Sequence, residues 1–264
     1  MWLLLACARE PDGPPPRREG EVWVPAPGLT WQWQLQGDAD LGLPVDAYDL
    51  DLFDTPAADV ERLHDDGKVL ICYFSAGSVE RWRPDADAFP GGAIGEPLDG
   101  WPGERWLDVR DDRVRDVLRG RLDLAVETGC DAVEPDNVDG YQNRTGFELT
   151  RADTLDFLGF LAREAHARNL SVGLKNAVGL VDAVVRDFDW ALNEECLSYD
   201  ECGTLRPFLD AEKAVLHVEY VDRAAQGAAL RDEICGDPAL AGFSTLVKTW
   251  DLDDFALTCE RRDP

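Results

Sequence analysis

Gly129-Cys-Asp-Ala-Val-Glu-Pro-Asp-Asn-Val-Asp-Gly-Tyr141 reads as a short apolar strand that runs directly into three carboxylates, Glu134, Asp136 and Asp139. Period-two alternation puts Ala132, Glu134 and Asp136 on one side and Asp131 and Val133 on the other, and Pro135 marks where regular ladder bonding fails. A second acidic strand end, Leu192-Asn-Glu-Glu-Cys196, follows after a spacing that holds one further strand and two helices. On that strand Trp190, Leu192 and Glu194 share a side. Carboxylates at the carboxyl ends of buried strands are what a parallel barrel presents to a substrate.

Working outward, short runs rich in Val, Ile, Tyr and Trp alternate with longer helical patterns. The strand candidates are Trp31–Leu35, Ala47–Leu52, Val69–Phe74, Ala132–Glu134, Leu170–Leu174, Trp190–Glu194, Ala214–Glu219 and Thr245–Lys248. Helical spacing appears over 56–66, over 111–128 with Val114, Leu118 and Leu122 on one face, over 151–168 behind a Thr150 cap, and over 177–188 and 224–235. Strand and helix units in alternation imply parallel pairing with right-handed crossovers. Eight strands in one α/β domain predict a (β/α)8 TIM barrel, with residues 22–264 as the domain and 1–21 as a signal-like or tether segment. A doubly wound dinucleotide fold would need a glycine-rich phosphate turn after its first strand, and Leu35-Gln-Gly-Asp-Ala-Asp40 has none. The stretch 75–108 is longer than an ordinary barrel loop; Trp82, Trp101 and Trp106 make it an ordered excursion after the third strand.

The chain has 53 acidic residues against 26 basic ones, a formal charge of -27. That excess disfavours nucleic acid or an anionic membrane surface as partner and suits a cationic substrate. No run in the body of the chain approaches the length of a membrane span. At the N-terminus, Leu4-Leu-Ala-Cys7 resembles in part a bacterial lipoprotein signal box, so a secreted or extracytoplasmic protein is expected, with Cys7 the candidate position for a lipid anchor. The six remaining cysteines fit an oxidising compartment. Cys196 with Cys202 and Cys235 with Cys259 are candidate pairs, whereas Cys72 and Cys130 are read equally well as a bond or as two free core thiols. With only three histidines and no ligand-like pairing, no zinc-type metal site is expected. The expected state is a monomer.

Polar side chains collect at the same end of most strands. Asp49 and Asp51 share a side of the second, Tyr73 and Ser75 of the third; Lys175 and Asn176 close the fifth, Glu219 and Tyr220 the seventh, and Lys248 to Asp251, with Trp250, the eighth. Paired carboxylates are what glycosidic cleavage needs, one protonating the departing oxygen while the other attacks carbon or activates water. Crowding them is expected to raise the pKa of one member into the range of a usable acid. Trp31 and Trp33, with the loop tryptophans, are candidate platforms for sugar rings, with Gln32 and Gln34 as hydroxyl partners; each ring has a core-filling reading beside that one. Solvated caps and loop carboxylates are the bland reading of the acids.

Trp31-Gln-Trp-Gln-Leu35, Tyr48-Asp-Leu-Asp-Leu-Phe-Asp54, Ile71-Cys-Tyr-Phe-Ser-Ala-Gly-Ser78, Glu134-Pro-Asp-Asn-Val-Asp-Gly-Tyr141, Lys175-Asn176, Asn193-Glu194 and His217-Val-Glu-Tyr220, in this order and spacing, resemble the glycoside hydrolase family that contains the endo-α-1,4-polygalactosaminidases. The resemblance spans about residues 31–251. It implies a retaining (β/α)8 glycosidase without cofactor, with Asp136 as nucleophile and Glu194 as general acid and base, Glu195 and Glu219 being the competitors for the second role. It further implies a galactosamine polysaccharide as substrate, held by Asp49, Asp51, Tyr73, Glu134, Asp139, Lys175, Asn176, Glu219, Tyr220 and Trp250. The other function class is a barrel that binds cationic polysaccharide at the cell surface without cutting it.

Overall fold

The computed structural model describes residues 22–259, so the tether segment and Cys7 lie outside the described residues. Eight strands run parallel in chain order: β1 (Trp31–Gln34), β2 (Ala47–Asp51), β3 (Val69–Ser75), β4 (Ala132–Asp136), β5 (Ser171–Lys175), β6 (Trp190–Glu194), β7 (Val215–Val221) and β8 (Ser244–Thr249). They curl as a (β/α)8 barrel. The seam between β8 and β1 is filled by the segment after β8: Leu257–Thr258 adds antiparallel to β8, Leu35 N donates to Leu252 O at 2.9 Å, and Gln32 Nε2 donates to Asp254 O at 3.1 Å.

Helices α1 (Ala57–Asp65), α2 (Asp112–Thr128), α3 (Arg151–His166), α4 (Val181–Val184), α5 (Arg206–Asp210) and α6 (Ala224–Ile234) cover the outside. Thr150 and Asp153 form a reciprocal capping box on α3, and Gly129 ends α2 at φ 92°, the left-handed stop that turns the chain into β4. The helix expected over 177–188 is shorter, a single 3-10 turn and then α4, because Asn176 and Ala177 leave β5 in the left-handed region at φ 48° and 49°.

Two apolar layers result. Between sheet and helices lie Leu63, Leu70, Phe74, Leu118, Phe157 and their neighbours. Inside the barrel, Trp31, Trp33, Ile71, Ala132, Trp190, Leu192, Leu216 and Leu246 fill the end where the strands begin. Trp31 and Trp33 are 2% and 1% exposed, so they are core rings and not sugar platforms. Gln32 and Gln34 are likewise buried and bond backbone carbonyls. Gly173 on β5 is required here, since a Cβ would sit 2.5 Å from the Trp190 ring.

The excursion after β3 is ordered by a three-stranded antiparallel sheet, Ser78–Glu80, Glu104–Leu107 and Ile94–Pro97 in spatial order, which the sequence reading did not foresee. Trp106 is buried under it, while Trp82 and Trp101 stand exposed. Three disulfides are formed: Cys72–Cys130 between β3 and the entry to β4, Cys196–Cys202 in the loop after β6, and Cys235–Cys259 at the C-terminal segment. The reading left open for Cys72 and Cys130 resolves to a bond. No helix among the described residues is long and apolar enough to cross a membrane.

Candidate active site

Where the apolar filling stops, charge begins. The same inward parity that carries Ala132 and Leu192 next presents Glu134 and Asp136 from β4, Lys175 from β5 and Glu194 from β6. Immediately beyond these strands Asn137, Asn176 and Glu195 take left-handed backbone, at φ 59°, 48° and 61°, and swing the chain out of the barrel. The mouth is therefore edged by sharp turns, with the last inward side chain of each strand below the rim.

Lys175 is the hub. Its Nζ is 2.6 Å from Glu134 Oε1, 3.2 Å from Asp136 Oδ2 and 3.4 Å from Glu194 Oε2, and it lies 4.4 Å above the centre of the Trp33 ring. One ammonium thus spans Asp136 and Glu194, whose nearer oxygens can be no farther apart than those two contacts laid end to end. That ceiling admits the roughly 5 to 5.5 Å of retaining glycosidases and falls at the foot of the roughly 6.5 to 9.5 Å of inverting ones. Glu194 is held on both oxygens: Asn176 Nδ2 donates to Oε2 at 2.9 Å and the Tyr220 hydroxyl to Oε1 at 2.5 Å. Asn176 Oδ1 accepts from the Glu194 backbone N–H, which locks the strand end to the side chain that it presents. Tyr220 in turn stacks on the exposed Trp250 with ring centres 4.1 Å apart.

Asp49 lies at the floor. Neither of its oxygens meets an N–H or hydroxyl of the protein, and Glu134 Oε2 is in the same position. Burial first, then the adjacent Glu134 charge, pushes the Asp49 carboxyl well above the ordinary aspartate value. Asp49 is thereby biased toward its protonated form, in which it has a hydrogen to offer the neighbouring Glu134 without a second cation. Burial lifts Glu134 to about 7, against the opposing Lys175 charge. Lys175 itself stays charged, since the three carboxylates outweigh its burial.

The expected rise of one member of the group falls on Glu134 and not on Glu194. Burial would raise it, but the Lys175 charge and the Tyr220 and Asn176 hydrogen bonds prevail and hold it below the ordinary glutamate value. Crowding was legible in the sequence; the cation in its middle, which reverses the sign, is a matter of geometry. Asp139, on the loop past Asp136, is pushed up by burial and by the Asp136 charge. Tyr73, half-buried with its ring 5.7 Å from Lys175 Nζ, has its hydroxyl kept neutral by burial and the nearby Asp136.

Two expected site residues do not join this cluster. Glu219 has the parity opposite to Val218 and Tyr220 and faces outward, where it accepts from Leu197 N at 2.9 Å and Ser198 Oγ at 2.8 Å and meets His217 Nε2 at 3.1 Å. It fastens the loop after β6. Asp51 is gripped by both terminal nitrogens of Arg83 and accepts from Phe53 N, so it belongs to the base of the excursion. Glu195 lies in the left-handed turn beyond β6, where its N–H donates to Val218 O and the charges acting on its carboxylate are those of Glu219 and Glu194. Residues that sequence reasoning did not single out are Asn137 and Ser78, which bond the surroundings of Asp136; the Asn directly after an inward Asp at a strand end was the available signal.

Known proteins share this fold. The model of glycoside-hydrolase family GH114 matches residues 14–263. Among solved structures, Aspergillus fumigatus Ega3 in complex with galactosamine is 41% identical, with a TM-score of 0.85 over 90% of this chain and 98% of that one. The glycoside hydrolase domain of PelA from Pseudomonas aeruginosa shares the fold at 15% identity, with a TM-score of 0.70 over 88% of this chain and 98% of that domain. A Deinococcus radiodurans protein is 27% identical over 230 residues, 77% of this chain and 73% of its own length.

Proposed function

Because the chain belongs to glycoside-hydrolase family GH114, we propose that it is a retaining endo-glycosidase that cleaves α-1,4-linked galactosamine polysaccharide, with Asp136 as nucleophile and Glu194 as general acid and base. The observation that carries this reading is the single Lys175 ammonium held between Asp136 and Glu194 at the barrel mouth. The galactosamine bound to the 41% identical Aspergillus protein supports the substrate class.

In the first step Asp136 attacks the anomeric carbon while Glu194 protonates the departing glycosidic oxygen. In the second, the Glu194 carboxylate takes a proton from water, and that water displaces Asp136. Attack consumes the Asp136 charge, and Lys175 then turns wholly to Glu134 and Glu194, stabilising the carboxylate that must act as base. Resting Glu194 is biased toward its ionised form, so its protonated form, the one able to act as acid, gains population toward acid pH. A substrate amine is cationic there. Asp139, the half-buried Asp136 surroundings and the chain's surplus of negative charge draw it in, and the Trp250 face beside Tyr220 offers a ring platform. We assign the protein to an extracytoplasmic setting, in which three disulfides persist; a lipid on Cys7 would be read as added mass on the mature chain.

The test is digestion of α-1,4-galactosamine polymer followed by mass spectrometry of the products. The expected outcome is internal fragments from the wild type and none from Asp136→Asn. Polymer bound but uncut by the wild type would establish the binding-only barrel instead.

A further inference from the structure

A hydrogen-bond chain leaves the site beside Asp136 and ends in a carboxylate buried beneath the loop sheet. Asn137 donates its backbone N–H to Asp136 Oδ1 at 2.6 Å and its side-chain Nδ2 to Ser75 Oγ at 2.9 Å. Ser75 Oγ lies 2.7 Å from Ser78 Oγ, and Ser78 Oγ is 2.7 Å from Glu104 Oε2. Ser75, Ser78 and Glu104 are all at least nine-tenths buried. The turn they hold has no slack, because Ala76 N and Gly77 N both bond Asp136 O, and a Cβ at Gly77 would come within 1.7 Å of the Asn137 carbonyl oxygen.

Each serine has one hydrogen to give, and that fixes the direction of the whole chain. Glu104 accepts, so the Ser78 hydrogen is committed to it. The hydrogen between the two serines must then come from Ser75, whose oxygen is left to accept from Ser78 N at 3.2 Å and from Asn137. Only the amide NH2 of Asn137 can face such an oxygen. Burial lifts Glu104 to about 7, against the Ser78 bond and with Glu80 opposite on the ladder adding to the rise. A protonated Glu104 keeps this direction with its hydrogen on Oε1, which leaves Oε2 to accept from Ser78.

We propose that Glu104 is a positioning residue for the nucleophile: as terminal acceptor of this chain it fixes the amide orientation of Asn137 and so the tether to Ser75 that anchors this left-handed residue, whose backbone N–H holds Asp136. Remove the acceptor, and Ser78 is free to donate to Ser75 and Ser75 to the amide oxygen, so both orientations of Asn137 become available. The proposal rests on the reading of Asp136 as nucleophile.

Its test is steady-state hydrolysis of the galactosamine polymer by Glu104→Leu, Glu104→Gln and Ser78→Ala, with melting temperatures recorded alongside. Loosening the Asn137 tether, and with it the hydrogen bond that aims the nucleophile, lowers kcat about tenfold, with KM within about twofold, in Glu104→Leu and in Ser78→Ala. Glu104→Gln, which keeps a carbonyl oxygen for Ser78, restores kcat. The double variant Glu104→Leu/Ser78→Ala loses no more than either alone. Wild-type kcat in Ser78→Ala, equal loss in the Gln and Leu variants, or additive losses in the double variant would overturn the proposal. Ser78→Ala removes a single small hydroxyl and carries the test even where Glu104→Leu does not fold. Asp136→Asn, assayed in parallel, reports on the nucleophile reading separately: retained turnover there sinks that reading whatever the Glu104 variants do.

Discussion

Two buried charge networks flank each other in this barrel and are built from different cations. Beneath the excursion, Arg83 reaches Asp51, Asp54 and Glu80, and Arg121 fastens Asp85 and the carbonyl of Ser75. At the mouth, Lys175 alone serves Glu134, Asp136 and Glu194. A guanidinium is a fixed fork that pins each carboxylate it meets, whereas an ammonium is a point charge that can redistribute among several. The arginine network is therefore scaffold, and it anchors the loop sheet to β2 and α2. The lysine network can lose one partner's charge during a reaction and close on the others.

The sharpest way to break this contrast is at the acid. Glu194→Gln is expected to lower polymer hydrolysis by about 10²- to 10⁴-fold while the melting temperature holds, as for removal of a general acid; a small loss would put the acid elsewhere. Arg83→Met tests the scaffold side. It strands Asp51 and Glu80 in the interior, and chemical denaturation should show a stability loss of about 3–5 kcal/mol. A loss of kcat without a loss of stability would contradict the division of labour.

Lys175→Met separates the two networks by pH. The Lys175 charge lowers the Glu194 pKa, so its removal lets that pKa rise, and the alkaline limb of the kcat/KM profile should move to higher pH. In the wild type the same limb, set by a depressed glutamate, should give an acidic optimum. Arg83→Met should leave the limb where it is. The smallest expected effect is at Trp250, which stacks on Tyr220 at the exposed rim. Trp250→Ala should raise KM about 5- to 10-fold, roughly one stacked ring, with kcat nearly unchanged.

The mouth network was largely legible in the sequence, because strands buried on both faces read as apolar runs and end in unmistakable polar residues. Asp136, Lys175, Asn176, Glu194 and Tyr220 could be named and are brought together. Glu219 could have been excluded by parity alone, since Leu216, Val218 and Tyr220 face in and an inward neighbour at 219 would violate the pleat. The arginine network was not legible. Its partners are separated by up to tens of residues along the chain, and its strands carry no apolar alternation because they pack on charge: Ser78–Glu80 offers two polar residues in three, and Glu80 pairs directly with Glu104. Trp31 and Trp33 stayed open in the sequence because a large ring suits a barrel floor as well as a sugar, and only their burial in the filling of the barrel decides.

Retention at the anomeric carbon, through attack by Asp136, is the claim on which the rest depends. Proton NMR of the first-formed product of polymer hydrolysis, recorded before mutarotation, tests it directly. The account predicts that the new reducing end appears first as the α-anomer, the configuration of the bond that was cut. Initial release of the β-anomer would mean inversion by a single displacement, and would contradict a covalent role for Asp136.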